Sequence, residues 1–135
     1  MSLGNTTEND LMGFVFDSAS PSWAANSNFY LALHTADPGE AGNQTTSEAN
    51  YGSYARVAIS RTTGFTVSGN SVQNAALTQF PQSSSDGLAV THFSIGTASS
   101  GTGQIILRGA LASSLPTATG IQPQFEAGAL TATVD

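Results

Sequence analysis

The residues best equipped for chemistry are His34, Asp37 and Glu40, three apart in the chain, with His92 far downstream. Imidazole nitrogens and carboxylate oxygens of this kind can ligate a divalent cation. Spacing alone does not close a ligand set, however. Asp37-Pro38-Gly39 reads more simply as a turn in which the carboxylate accepts from nearby backbone amides and proline presets φ. Neither a metal nor another cofactor is expected. Serine, histidine and aspartate all occur, but without a Gly-x-Ser-x-Gly elbow any Ser-His-Asp set drawn from so serine-rich a chain would be arbitrary. The nine carboxylates are scattered through loop-like segments rather than paired across a cleft, as glycoside cleavage requires. Ser99-Ser100-Gly101-Thr102-Gly103 is glycine-rich, yet it lacks the lysine of a phosphate loop and the helix of a dinucleotide site. The expectation is a protein that is not an enzyme.

Two groups of residues suit contact instead. Leu11, Phe14, Phe16 and Trp23 make the N-terminal region unusually apolar, so they either fill one end of the core or anchor a partner, and the interface is favoured. Arg56 offers a planar fork that matches a carboxylate, either on a neighbouring subunit or within the chain on Glu40 or Glu48. Asp37, Glu40 and Tyr51 lie in the long polar segment Thr35–Ser53, and loops of that length are usually functional or mobile. These eight residues form the expected partner interface: Leu11, Phe14, Phe16, Trp23, Asp37, Glu40, Tyr51 and Arg56.

The elements that must position them belong to a β protein. The 135 residues suffice for one core, and 39% are hydrophobic while 9% are charged. Polarity carried by Ser, Thr, Asn and Gln suits sheets and turns better than charged surface helices. Asn5–Asp17 has Thr and Asn as caps, acids in its opening turn and apolar residues at helical spacing, which gives a short helix or arm weakened by Gly13. Strands are expected over Phe29–His34, Tyr54–Ser60, Gly64–Ser68, Val72–Phe80, Ala89–Ile95, Gln104–Leu111 and Ala129–Val134, with Ile121–Phe125 a weaker eighth because of Pro123. Gly69-Asn70 between Val67-Ser68 and Ser71-Val72 marks a tight hairpin. The fold class is all-β: a jelly-roll-like sandwich of seven or eight short antiparallel strands over residues 29–135, preceded by an arm or helix in residues 1–28.

Charge narrows the partners. Lysine is absent, and Arg56, Arg61 and Arg108 stand against nine acids for a formal net charge of −6, so neither nucleic acid nor an anionic membrane surface is expected as a partner. Cysteine is also absent, which excludes disulfides and thiolate metal sites. No apolar run approaches membrane-spanning length, and Met1 to Glu8 lacks the features of a secretory signal.

Phe29-Tyr30-Leu31-Ala32-Leu33-His34-Thr35-Ala36-Asp37-Pro38-Gly39-Glu40-Ala41-Gly42 closely resembles the opening of a family of small tailed-phage virion proteins often labelled tail fibre proteins. Further matches follow in family order: Tyr54-Ala55-Arg56-Val57, Asn74-Ala75-Ala76 leading to Phe80-Pro81, Val90 to Gly96, Gly109-Ala110-Leu111, and Phe125 to Thr131. The sequence departs from the family at His92-Phe93-Ser94-Ile95-Gly96-Thr97, where relatives often carry His-Phe-Gly-Ile and then an aromatic and an acidic residue. The resemblance implies a structural component of a phage particle, and it is also similar to compact capsid cement proteins. Without repeats or heptads a long shaft is not expected. The first reading is therefore a decoration subunit on the capsid exterior, assembled in the host cytoplasm, that binds the major capsid protein and copies of itself as a dimer or trimer. The alternative is a tail fibre or tail-tip component that binds a host receptor or glycan, with Tyr51 and Tyr54 as exposed aromatics.

Overall fold

The computed structural model describes residues 2–134. Its organising strand is Asn28–His34, in which Phe29, Leu31 and Leu33 alternate with Tyr30, Ala32 and His34. Leu31 to His34 are all fully buried, so both faces of this strand are covered. In chain order the strands are β1 (Ser2–Leu3), β2 (Asn28–His34), β3 (Val57–Ser60), β4 (Phe65–Ser68), β5 (Ser71–Asn74), β6 (Thr78–Gln79), β7 (Leu88–Gly96), β8 (Ile105–Thr117), β9 (Gln124–Phe125) and β10 (Thr131–Thr133). They form three antiparallel sheets, ordered β1-β8-β7-β2-β3, β10-β5-β4 and β6-β9. The result is the expected all-β, sandwich-like fold with one short N-terminal helix.

The large sheet presents one apolar face to the two small ones. Leu31, Leu33, Ile59, Phe93 and Ile95 on that face meet Phe80, Leu130 and the partly buried Phe65 and Phe125. Aromatic rings run through this core: Tyr54 stacks on Phe80, Phe80 meets Phe125 edge-on, and Phe125 tilts against Phe93. The hairpin at Gly69-Asn70 forms as expected. Gly69 sits at φ +60°, a conformation glycine adopts without steric cost, and β4 and β5 pair from Phe65–Asn74 through Ser68–Ser71.

Several boundaries differ from the sequence reading. The strand expected over Val72–Phe80 is two strands, β5 and β6: Asn74 is the last residue of β5, and its side chain donates to the carbonyls of Ala76 and Glu126 where the chain turns away. The strand expected from Tyr54 begins at Val57, since Tyr54 and Arg56 are committed to side-chain bonds with Glu48. The helix α1 spans Asn5–Asp17 despite Gly13 and ends at Ser18, in the left-handed region at φ 54°. Ahead of it, Ser2 and Leu3 pair with Arg108 and Leu107, so the N-terminus adds an edge strand to the large sheet. The Thr7 hydroxyl fixes the helix by donating to the Ile105 carbonyl at 2.8 Å.

Candidate functional site

The second face of the large sheet is polar, and register explains why. His34 lies opposite His92, and Ser94 lies between Ala32 and Arg108. Alternation along each strand therefore sets His34, His92, Ser94 and Arg108 on the face turned from the core. The segment 35–53 closes over it. The segment is a loop with many exposed residues, as expected, but one tied down along β2: Thr35 N–H bonds the Ser47 carbonyl, Ala49 N–H bonds that of Leu33, and His34 bridges to Glu48.

Beneath it, Arg56 uses its whole guanidinium. Nε and Nη2 grip the two oxygens of Glu48 at 2.6 and 2.8 Å, Nη1 reaches the Ala98 carbonyl at 2.9 Å and Gln44 Oε1 at 3.4 Å, and Nη2 also reaches the Gly101 carbonyl at 2.7 Å. The Arg56 side chain is 2% exposed and that of Glu48 17%. Of the alternatives open in the sequence, the intramolecular pair with Glu48 is the one formed, and the expectation that Arg56 faces a partner is corrected by its burial. Gln44, fully buried, donates to the Tyr30 carbonyl and accepts from Ala98 N–H. Its side chain fills the space where a Cβ at Gly96 or Gly103 would stand, which is why both positions are glycine.

His34 illustrates how fully this face is used. Nδ1 lies 2.8 Å from the Thr46 carbonyl, which can only accept, so Nδ1 carries the proton and Nε2 accepts from the Ser94 hydroxyl at 2.8 Å. Burial pushes its pKa below the ordinary histidine value, keeping the ring neutral. His92 Nδ1 bonds Thr91 Oγ1, whose own proton goes to the Thr35 carbonyl. At the rim, Asp37 accepts from Gly39 N–H at 2.8 Å, closing the turn expected from Asp-Pro-Gly. Arg108 Nη1 grips both Asp37 oxygens at 2.7 and 2.8 Å, while Nη2 lies 3.4 Å from Glu40. The Gly39 amide, and then Arg108, hold the Asp37 carboxyl below its usual pKa. Among the described residues, no three His, Asp or Glu side chains converge as a ligand set for a metal.

The other residues of the expected interface divide. Tyr51 is corrected: only 3% exposed, it donates to the Pro81 carbonyl at 2.9 Å, and burial pushes its phenol up to about 12. Tyr54 is half-buried, its hydroxyl donating to Glu48 and accepting from Leu33 N–H, so neither tyrosine is an exposed loop aromatic. Trp23 is also turned inward. Its Nε1 donates to Asp10 at 2.7 Å, its ring meets Phe29 edge-on, and Arg61 lies over both rings while donating to the carbonyls of Trp23, Ala24 and Asn26. Asp37 and Glu40 remain about half exposed on their pairs with Arg108. Leu11, Phe14 and Phe16 are exposed at 37%, 56% and 77%, joined by Met12 and Val15 of the same apolar run, which the expected interface did not include. Gln44 gave no signal at all, being one polar residue among many in a loop.

Chemically, this face is a brace. Both nitrogens of the buried His34 are engaged, and each arginine is held by partners in its own chain. No helix of the described residues is long and apolar enough to cross a membrane. A family model described as podophage GP4 fiber I protein gp80 matches residues 2–133. No curated protein matches the chain.

Proposed function

We propose that this chain, which belongs to the podophage GP4 fiber I protein family, serves as a non-enzymatic building block of a fibre on the phage particle. Membership makes it a structural protein of a bacteriophage virion. The observation that supports the non-enzymatic reading is how the polar face is used: His34 bonds through both ring nitrogens, Arg56 pairs with Glu48, and Arg108 pairs with Asp37 and Glu40, so these groups serve one another structurally.

Of the two locations expected from the sequence, a compact chain without repeats points first to the capsid exterior. The family's description favours the fibre instead, and a compact block can build one through association of many domains. A chain of net charge −6 whose described cations are all engaged internally has little to attract nucleic acid, in line with an external position.

The test is to tag an exposed loop such as Ser99-Ser100, confirm infectivity, and image gold-labelled particles while counting copies per virion. Label on appendages at a few dozen copies or fewer is the expected result. Label spread over the shell at hundreds of copies would return the protein to capsid decoration and overturn the fibre reading.

A further inference from the structure

The second half of α1 is the most anomalous surface of the molecule. Leu11, Met12, Phe14, Val15 and Phe16 are 37%, 60%, 56%, 65% and 77% exposed, five large apolar side chains within six residues and no charge among them. At 100° per residue they cover an arc of roughly 200° around the helix axis. A helix docked on its own domain needs an apolar stripe of about 100°. The first half of α1 accounts for the attachment: Thr7 is bound to Ile105, and Asp10 accepts from Trp23 and Gln104. Residues 11–16 extend beyond that anchorage.

We propose that this arc is an interface between copies of this chain, with α1 of one copy packed on α1 of another. Area supports a second copy as the occupant. With a whole phenyl side chain worth roughly 200 Å², the exposed parts of Phe14 and Phe16 supply about 270 Å², and the other three residues bring the patch to roughly 500 Å². Two such patches facing each other remove at most about 1,000 Å² from water, the threshold of a specific interface, which flanking contacts help to reach. Charge works against the contact and so marks it: Glu8 and Asp17 flank the arc, and Arg56, Arg61 and Arg108 are all engaged elsewhere in the chain, so two copies meet through apolar centres against mutual repulsion at acidic ends. Self-association then has a distinctive signature. Added salt screens repulsion between like-charged copies and tightens it, whereas docking on a basic partner would weaken.

The chain lacks cysteine, so a single introduced thiol reports contact cleanly. The experiment uses the full chain with Phe16→Cys, an exposed control Ser99→Cys, and the charge variant Phe14→Asp/Phe16→Asp. All replaced side chains are solvent-exposed, and circular dichroism checks that each variant keeps the fold. Expected results are an oligomer by sedimentation that tightens between low and moderate salt, and disulfide-linked dimers of F16C forming at least tenfold faster than those of S99C. The double Asp variant should self-associate at least 100-fold more weakly, as interface aromatics commonly dominate binding. A monomeric wild-type chain at high micromolar concentration would overturn the proposal. So would an oligomer indifferent to the Asp variant, or crosslinking no faster than the control. Self-association that weakens with salt would show that opposite charges, not this apolar arc, hold the copies together and would equally overturn it. The inference rests on this surface alone and stands or falls separately from the fibre reading.

Discussion

Removing the Glu48 carboxylate should be among the most damaging single changes outside the apolar core. In Glu48→Ala the Arg56 guanidinium, 2% exposed, keeps its charge but loses the two shortest side-chain bonds it makes, at 2.6 and 2.8 Å. Tyr54 loses its acceptor in the same step. A buried charge deprived of its partner costs about 3–5 kcal/mol, against the 0–1 kcal/mol typical of exposed pairs. For a domain whose total stability is about 5–15 kcal/mol, that corresponds to a fall in melting temperature of roughly 10–20 °C. The assay is urea unfolding followed by far-ultraviolet circular dichroism and by the fluorescence of Trp23, the only tryptophan. The companion variant Arg56→Met/Glu48→Leu leaves no charge buried. It still strips donors from the Ala98 and Gly101 carbonyls and, like Glu48→Ala, the acceptor from the Tyr54 hydroxyl, at about 1 kcal/mol each, so it should lose about 3 kcal/mol and less than the single variant, which adds an unpaired buried charge. A loss below about 1 kcal/mol in Glu48→Ala, or a double variant no better than the single, would refute the buried-brace reasoning.

Two further outcomes follow from the same face. Gly96→Ala places a methyl group against the buried Gln44 side chain, which cannot move without breaking its bonds to Tyr30 and Ala98; a loss of at least about 2 kcal/mol is expected in the same unfolding assay, and a neutral result would show that Gln44 has another rotamer to occupy. Stability should also fall on acidification. His34 stays neutral in the fold, so below its ordinary pKa of 6.5 the unfolded chain binds the extra proton and is favoured; Asp37, held below 3.8 in the fold, adds a smaller loss as pH drops through that value. Melting temperatures at pH 7.5, 6 and 5 would check this, and a flat profile for the wild type would count against a neutral buried His34.

What the sequence disclosed and what it hid divide along a physical line. The limits of α1, the strand Phe29–His34 and the hairpin at Gly69-Asn70 are local properties, written in helical spacing, alternation and turn chemistry, and the structure has them where expected, although the N-cap is Gly4 rather than the Thr or Asn the sequence suggested and no side chain caps the helix. Ser2–Leu3 carries no pattern of its own and is a strand only because β8 offers it an edge. Burial of Gln44, Tyr51 and Arg56 depends on segment 35–53 folding back over β2, a contact that no window of neighbouring residues encodes. The candidate acids for Arg56 could be narrowed to Glu40 and Glu48 from the sequence. Choosing between them required knowing that Glu48 returns beside His34, while Glu40 goes to Arg108.

The scarcity of cations acquires a different meaning once their positions are known. Read as composition, three arginines among 135 residues describe an acidic surface. In the fold each one ties together segments that would otherwise meet only through loops: Arg56 joins the returning loop to the β7–β8 turn, Arg61 joins the end of β3 to the turn at Trp23–Asn26, and Arg108 joins β8 to the turn at Asp37–Glu40. Lysine could not reproduce Arg56, which bonds acceptors through Nε, Nη1 and Nη2 of one planar head, and Arg61 lays its guanidinium over two rings while Nη1 serves three carbonyls. In a chain without cysteine these arginines perform the cross-linking that disulfides provide in other small β domains. Because they are engaged in that way, contact with other molecules falls to neutral polar groups, to the exposed acids and to the apolar half of α1. Among these, residues 11–16 of α1 combine large exposed apolar area with freedom from charge, and so they are where association energy is to be sought.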